Sequence, residues 1–140
     1  MYLIDTNIWL ERLLEQAKSA EVGQFLDQTP SNQLFITDFA FHSICVILTR
    51  LKKKSAILDF VQDVFVNGAV TLVLIKPEET QSLVEAMDKY NLDFDDAYQY
   101  IAAEQNGLII VSFDSDLDGT VRGKKTPAEI LAAQKATDVE

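Results

Sequence analysis

The chain has 140 residues, 48 % of them apolar and 24 % charged, with five Gly and three Pro. That length and composition suit one compact, ordered domain spanning residues 1–140, with a core that needs neither disulfides nor structural metal. Twelve Lys and Arg face 22 Asp and Glu, a formal net charge of −10, which counts against a generic nucleic-acid binder working through a broad positive field. It does not exclude a nucleic-acid enzyme whose acids are gathered around metal ions. The single cysteine, Cys45, lies in the apolar run HSICVIL and reads as a small buried hydrophobe. No stretch reaches the roughly 18 apolar residues of a membrane span. The start, MYLIDTN, lacks the basic residues and long apolar run of a signal peptide. A soluble, cytoplasmic protein with no membrane association is the expectation.

The apolar run MYLI (1–4) predicts a buried strand stopped by Asp5. Helical spacing of Ile8, Leu10, Leu13 and Leu14 predicts a helix from Asn7 to about Ala17, and a second short helix covers 20–27. After the turn Thr29-Pro30-Ser31-Asn32, LFI (34–36) is a strand and Thr37-Asp38 caps a long apolar helix reaching about Arg50. Ser55 caps a further helix to about Phe65, and VTLVLI (70–75) is a β-branched strand. Pro77 opens a helix to about Tyr90, with Glu78 and Glu79 suited to its N-terminal dipole. Asp93 or Asp95 begins the next helix, which turns Ala97, Tyr100 and Ile101 inward and ends at Asn106-Gly107. LIIV (108–111) is a fully apolar strand, and Thr126-Pro127-Ala128-Glu129 is a capping box that starts the last helix. Strands apolar on both faces and separated by helices define an α/β fold, a central parallel sheet with helix layers on both sides.

Ligands of open α/β sheets bind beyond the carboxyl ends of the strands. Asp5 directly follows the first strand, Asp38 comes two residues after LFI, and Asp114 three after LIIV, while Asp95 and Asp96 open a helix. If the first and last strands are neighbours, Asp5, Asp96 and Asp114 converge. Such carboxylates repel one another unless a divalent cation neutralises them, and oxygen-only ligation favours Mg²⁺ or Mn²⁺ over zinc. A cation held there activates water and stabilises phosphate oxygens in an in-line displacement. Plainer roles stand beside this one: Asp5 and Asp38 as helix caps, and Asp95 and Asp96 as acids favoured at a helix start. His42, Cys45, Trp9, Tyr98 and Tyr100 read as packing residues, and Lys52–Lys54 as a solvated helix end.

LIDTNIWL (3–10), DDAYQYIAAEQNGLIIVSFDSD (95–116) and the strand–helix order between them resemble the PIN-domain family. That family includes the toxin-type ribonucleases of toxin–antitoxin pairs. The strongest match is an Asp eleven residues before Gly107, followed by Ser-x-Asp after the strand: Asp96, Ser112 and Asp114. The resemblance implies a three-layer α/β/α PIN-like fold and metal-dependent endonucleolytic cleavage of RNA. Asp5, Asp96 and Asp114 would be the catalytic metal ligands, with Asp116 a second-metal or outer ligand and Asn7 and Ser112 polar supports. It also implies a homodimer and a partner antitoxin. The family's usual Glu in the helix after the second strand is absent: Ser43 or His42 stands in its place, leaving Asp38 or Asp116 to compensate. The alternative is a catalytically weak or inactive PIN-like module that binds RNA or a protein. Arg122, Lys124 and Lys125, close in sequence to Asp114, are the candidate phosphate contacts.

Two other readings of DSDLDGT fail on specific residues. An EF-hand loop from Asp114 needs Glu at its twelfth position, where Lys125 stands, and a helix rather than a strand before it. An aspartate-based phosphatase needs the strand to run straight into DLDGT, but Ser112 to Ser115 intervene.

Overall fold

A computed structural model describes residues 1–139 of the chain. Strand β1 (Tyr2–Ile4) leads into helix α1 (Thr6–Leu13), followed by α2 (Ser19–Gln28), β2 (Leu34–Thr37), α3 (Asp38–Arg50) and α4 (Lys54–Val61). Strand β3 (Thr71–Val73), α5 (Thr80–Tyr90), α6 (Phe94–Asn106), β4 (Ile109–Val111) and α7 (Pro127–Val139) complete the order. The four strands are all parallel, in the order β3-β2-β1-β4. The first and last strands are therefore neighbours, with Leu3 opposite Ile110 and Ile4 opposite Val111.

Successive residues of a strand face opposite sides, so β1 feeds two cores. Leu3 packs with Leu83, Ile101 and Ile110 beneath α5 and α6. Ile4 packs with Ile8, Phe25, Ile36 and Ile44 on the other face. Helices thus cover both sides, and the α/β/α layering expected from the strand pattern is observed. Helix α6 is buried without interruption from Asp96 to Ala103, so even its polar residues must find partners inside the protein.

Several boundaries differ from the sequence expectation. Helix α1 stops at Leu13 rather than near Ala17, because Glu15 adopts a left-handed conformation (φ 51°) that turns the chain out of the helix. Ser55 does not cap α4; Lys53 precedes it with no side-chain cap, and the end of the segment loosens into a π-helical turn over Gln62–Val66. Strand β3 is only three residues long, and Leu72 and Leu74 are exposed because β3 lies at the sheet edge. Ile109 of β4 is exposed for the same reason, so LIIV is not buried throughout. His42 is exposed on α3 and Cys45 is only half-buried, against the expectation of core packing. The run FAFHSICVIL is apolar on most sides and hid this, since only Ala40, Ile44 and Leu48 of it are fully buried. Trp9, Tyr98 and Tyr100 are buried as expected.

Elsewhere the local signals hold. Thr37 caps α3 by accepting from the Ala40 amide, and Asp93 caps α6 by accepting from the Asp96 amide. Gly107 ends α6 at φ 63°, the left-handed cap position that Gly occupies without strain. Thr126 and Glu129 form the reciprocal capping box. Among the described residues, no helix is long and apolar enough to cross a membrane.

Candidate active site

The carboxyl end of β1 carries Asp5, 8 % exposed, directly at the start of α1. It accepts three hydrogen bonds. The Thr6 amide donates to Oδ1 at 2.8 Å, Gln99 Nε2 to the same oxygen at 2.9 Å, and Ser112 Oγ to Oδ2 at 2.8 Å. The helix-cap role considered for Asp5 and its place in a polar cluster are both real, since one residue does both. Ser112, fully buried just past β4, is the hub of the cluster: it also accepts from Asn7 Nδ2 at 3.1 Å and from the Asp114 amide at 3.0 Å. Asn7 Oδ1 in turn accepts from the Phe113 amide at 3.2 Å. The chain after β4 is thus pinned to the first turn of α1, and Asp114 leaves it at a fixed point.

Asp96 enters from the first turn of α6. One cavity of about 310 Å³ is lined by Asp5, Asp95, Asp96 and Asp114, together with Ser43 and Phe39 of α3. Carboxylate oxygens of Asp96, Asp114 and Asp116 lie within 4.8 Å of one another; Asp5 shares the cavity but is not part of that tighter group. Crowding shows in the proton affinities. The Asp96 carboxyl is pushed up to about 8, chiefly by burial, then by its hydrogen bond with Asp114 and by the charges of Asp114, Asp93 and Asp5. Asp95 is raised too, by burial and by the charges of Asp93 and Asp5. A carboxyl that, like Asp96, is pushed far above its usual range lacks a neutralising charge, and an all-oxygen donor set suits a hard divalent cation. The residues present therefore fit Mg²⁺ or Mn²⁺.

Other candidates lie differently. From α3 the cavity is lined by Phe39, Ser43 and Ile47, so that helix contributes no carboxylate to it. Asp38 is not among the residues lining this cavity; its Oδ1 accepts from the Phe39 amide and from the Tyr98 hydroxyl at 2.7 Å. Arg122 donates to the Leu108 carbonyl at 3.3 Å, at the start of β4 and therefore at the other end of the sheet from the acids. Lys124 is paired with Asp118 at 3.3 Å. The exposed Lys125 side chain borders a separate recess beside Tyr2 and Ile109, while its backbone bonds to Ser112 and Ile110. Closeness in sequence to Asp114 did not carry these cations to the cavity.

One polar residue of the site escaped the sequence reading. Gln99 donates to Asp5 and accepts from Thr37 Oγ1 at 2.8 Å. Its one available signal was a polar side chain three residues after Asp96, hence on the same helix face, within an otherwise apolar stretch.

The PIN domain family model matches residues 2–122, and the chain belongs to the PIN domain family, a family of nucleases. A toxin–antitoxin complex from Klebsiella pneumoniae superposes with a TM-score of 0.72 at 19 % identity, over 91 % of this chain and 98 % of that one. FitAcB from Neisseria gonorrhoeae gives 0.72 at 17 % identity, over 91 % and 99 %. The sarcin–ricin-loop-cleaving toxin VapC20 of Mycobacterium tuberculosis gives 0.70 at 14 % identity, over 83 % and 92 %. No curated protein matches the chain.

Proposed function

We propose that the chain is a divalent-metal-dependent endoribonuclease that hydrolyses RNA phosphodiester bonds, acting in the cytoplasm as a single PIN unit over residues 1–140. Asp5, Asp96 and Asp114 are the catalytic carboxylates and, with Asp116, the residues that would hold Mg²⁺ or Mn²⁺. The observation that carries this reading is the meeting of carboxylates from three distant segments in one cavity beyond the carboxyl ends of β1 and β4. A cation bound there supplies an acidified water and charge stabilisation for the phosphate oxygens. The protein's own part is to aim the ligands through Ser112 and Asn7, and to leave one cavity wall apolar at Phe39.

The test is cleavage of single-stranded RNA, with DNA of the same sequence alongside, with and without Mn²⁺. Cleavage of RNA that stops on chelation and returns with Mn²⁺ is expected, and chelator-resistant cleavage would sink the mechanism. A second reading, an inactive RNA-binding module, is favoured by the lack of an acid on the α3 side of the cavity, where Ser43 stands, and RNA bound but left uncut with Mn²⁺ present would select it. Of Arg122, Lys124 and Lys125, Lys125 is exposed and its side chain makes neither an ion pair nor a hydrogen bond among the described residues. In the same assay Lys125→Glu should weaken RNA binding and flatten its salt dependence.

The structural relatives include a toxin–antitoxin complex, and we place this chain as the toxin of such a pair, working as a homodimer. An antitoxin segment with apolar anchors and basic residues suits a cavity of about 440 Å³ beside Trp9, Leu26 and Phe60, whose lining carries Asp27, Asp59 and Asp63 against the single cation Arg12. The check is whether the product of an adjoining small reading frame co-purifies with this chain and stops cleavage. A product that neither binds nor inhibits would remove the toxin assignment.

A further inference from the structure

Gln99 is 3 % exposed, one turn beyond Asp96 on α6 and among side chains that are otherwise apolar. Both of its side-chain bonds reach distant elements: Nε2 donates to Asp5 Oδ1 at 2.9 Å and Oε1 accepts from Thr37 Oγ1 at 2.8 Å. Proton counting fixes which way the amide points. Thr37 Oγ1 accepts from the Ala40 amide at 2.9 Å as the cap of α3, so its single proton is left for Gln99 Oε1. A flipped amide would set an oxygen against the Asp5 carboxylate and leave the Thr37 proton unused. The hydroxyl of Thr37 therefore orients the amide, and the amide holds Asp5.

A carboxylate offers about four acceptor positions. The Thr6 amide, Gln99 Nε2 and Ser112 Oγ occupy three of those on Asp5, which lines the shared cavity. Burying a glutamine here has a desolvation cost that its apolar neighbours Ala97, Ala102 and Ala103 avoid. What that cost secures is one contact with a site carboxylate.

We propose that Gln99 is a positioning residue of the metal site. Braced by Thr37 at the β2–α3 junction, it holds the Asp5 carboxylate with its remaining acceptor position open to a divalent cation. The proposal rests on reading the cavity as a cation site, and its test separates the two.

Mn²⁺ binding to the full chain is measured by titration calorimetry, and the melting temperature is measured without metal. Gln99→Met keeps the side-chain length and deletes the donor. Its Kd for Mn²⁺ should rise about 10- to 100-fold, as for other partners that orient metal ligands. Thr37→Val, which frees the amide to flip, should raise Kd in the same direction, and Thr37→Ser should restore it. A purely structural role would lower the melting temperature and leave Kd alone. A Kd within about twofold of wild type in folded Gln99→Met overturns the proposal, because it falls outside the range for such partners. So does a Thr37→Ser value as poor as that of Thr37→Val. If Gln99→Met does not fold, the Thr37 pair decides. Absence of Mn²⁺ binding by the wild-type chain overturns the cation-site reading itself and this proposal with it.

Discussion

Asp114→Asn is expected to lower RNA cleavage by on the order of 10³-fold or more, since losing one anionic ligand removes several kcal/mol of charge stabilisation and each 1.36 kcal/mol is a factor of ten in rate. The substitution is clean because of what Asp114 does locally. Its Oδ1 accepts from the Asp116 amide at 2.9 Å, and an asparagine oxygen can take the same bond. The turn after β4 should survive while the charge is lost. Asp96→Asn and Asp5→Asn should give losses of similar size. Ser112→Ala should act more gently, by about 10- to 100-fold, because it loosens Asp5 and the Asp114 backbone without removing a ligand. Steady-state cleavage in saturating Mn²⁺, with melting temperature as the folding control, is the measurement. A folded Asp114→Asn protein that cuts RNA at the wild-type rate would remove this residue from the chemistry.

Without metal, the folded chain should lose stability as pH rises from about 4 towards 8. Asp96 keeps its proton to about 8 in the folded protein, whereas the ordinary carboxyl value is 3.8. Between those values the native state binds the extra proton, so the slope of stability against pH is negative. The contribution is whole below the unfolded pKa and gone once pH passes the folded one. The ceiling for a single proton is about 1.4 kcal/mol per pH unit. Two comparisons isolate this group from the rest of an acidic protein. Asp96→Asn should remove the slope and melt higher than wild type at pH 8, so a loss of activity accompanies a gain in stability. Added Mg²⁺ or Mn²⁺ should also flatten the slope, since a cation replaces the proton as the neutralising charge. Melting curves from pH 5 to 9 test this, and an Asp96→Asn protein with the wild-type slope would refute the account.

Much of this was readable in the residues because it is local. The continuous apolar run at β1, the caps at Thr37 and Asp93, the left-handed Gly107 and the Thr126–Glu129 box are each written within a few positions. Asp5 and Asp114 were legible as acids at strand ends, and a parallel sheet directs such ends to one side. The motif match added Ser112 and Asn7, which no periodicity marks. Tertiary structure alone chose among the remaining polar groups. It joined Asp116 to Asp96 and Asp114, committed Asp38 to Tyr98, exposed His42, and carried Arg122 to the far end of β4. It also brought Gln99 to Asp5 across 94 residues and to Thr37 across 62. Hydrogen bonds over such separations leave no trace in spacing or composition. A buried amide selects its partners only after the helices have closed around it, when every polar atom inside must be satisfied.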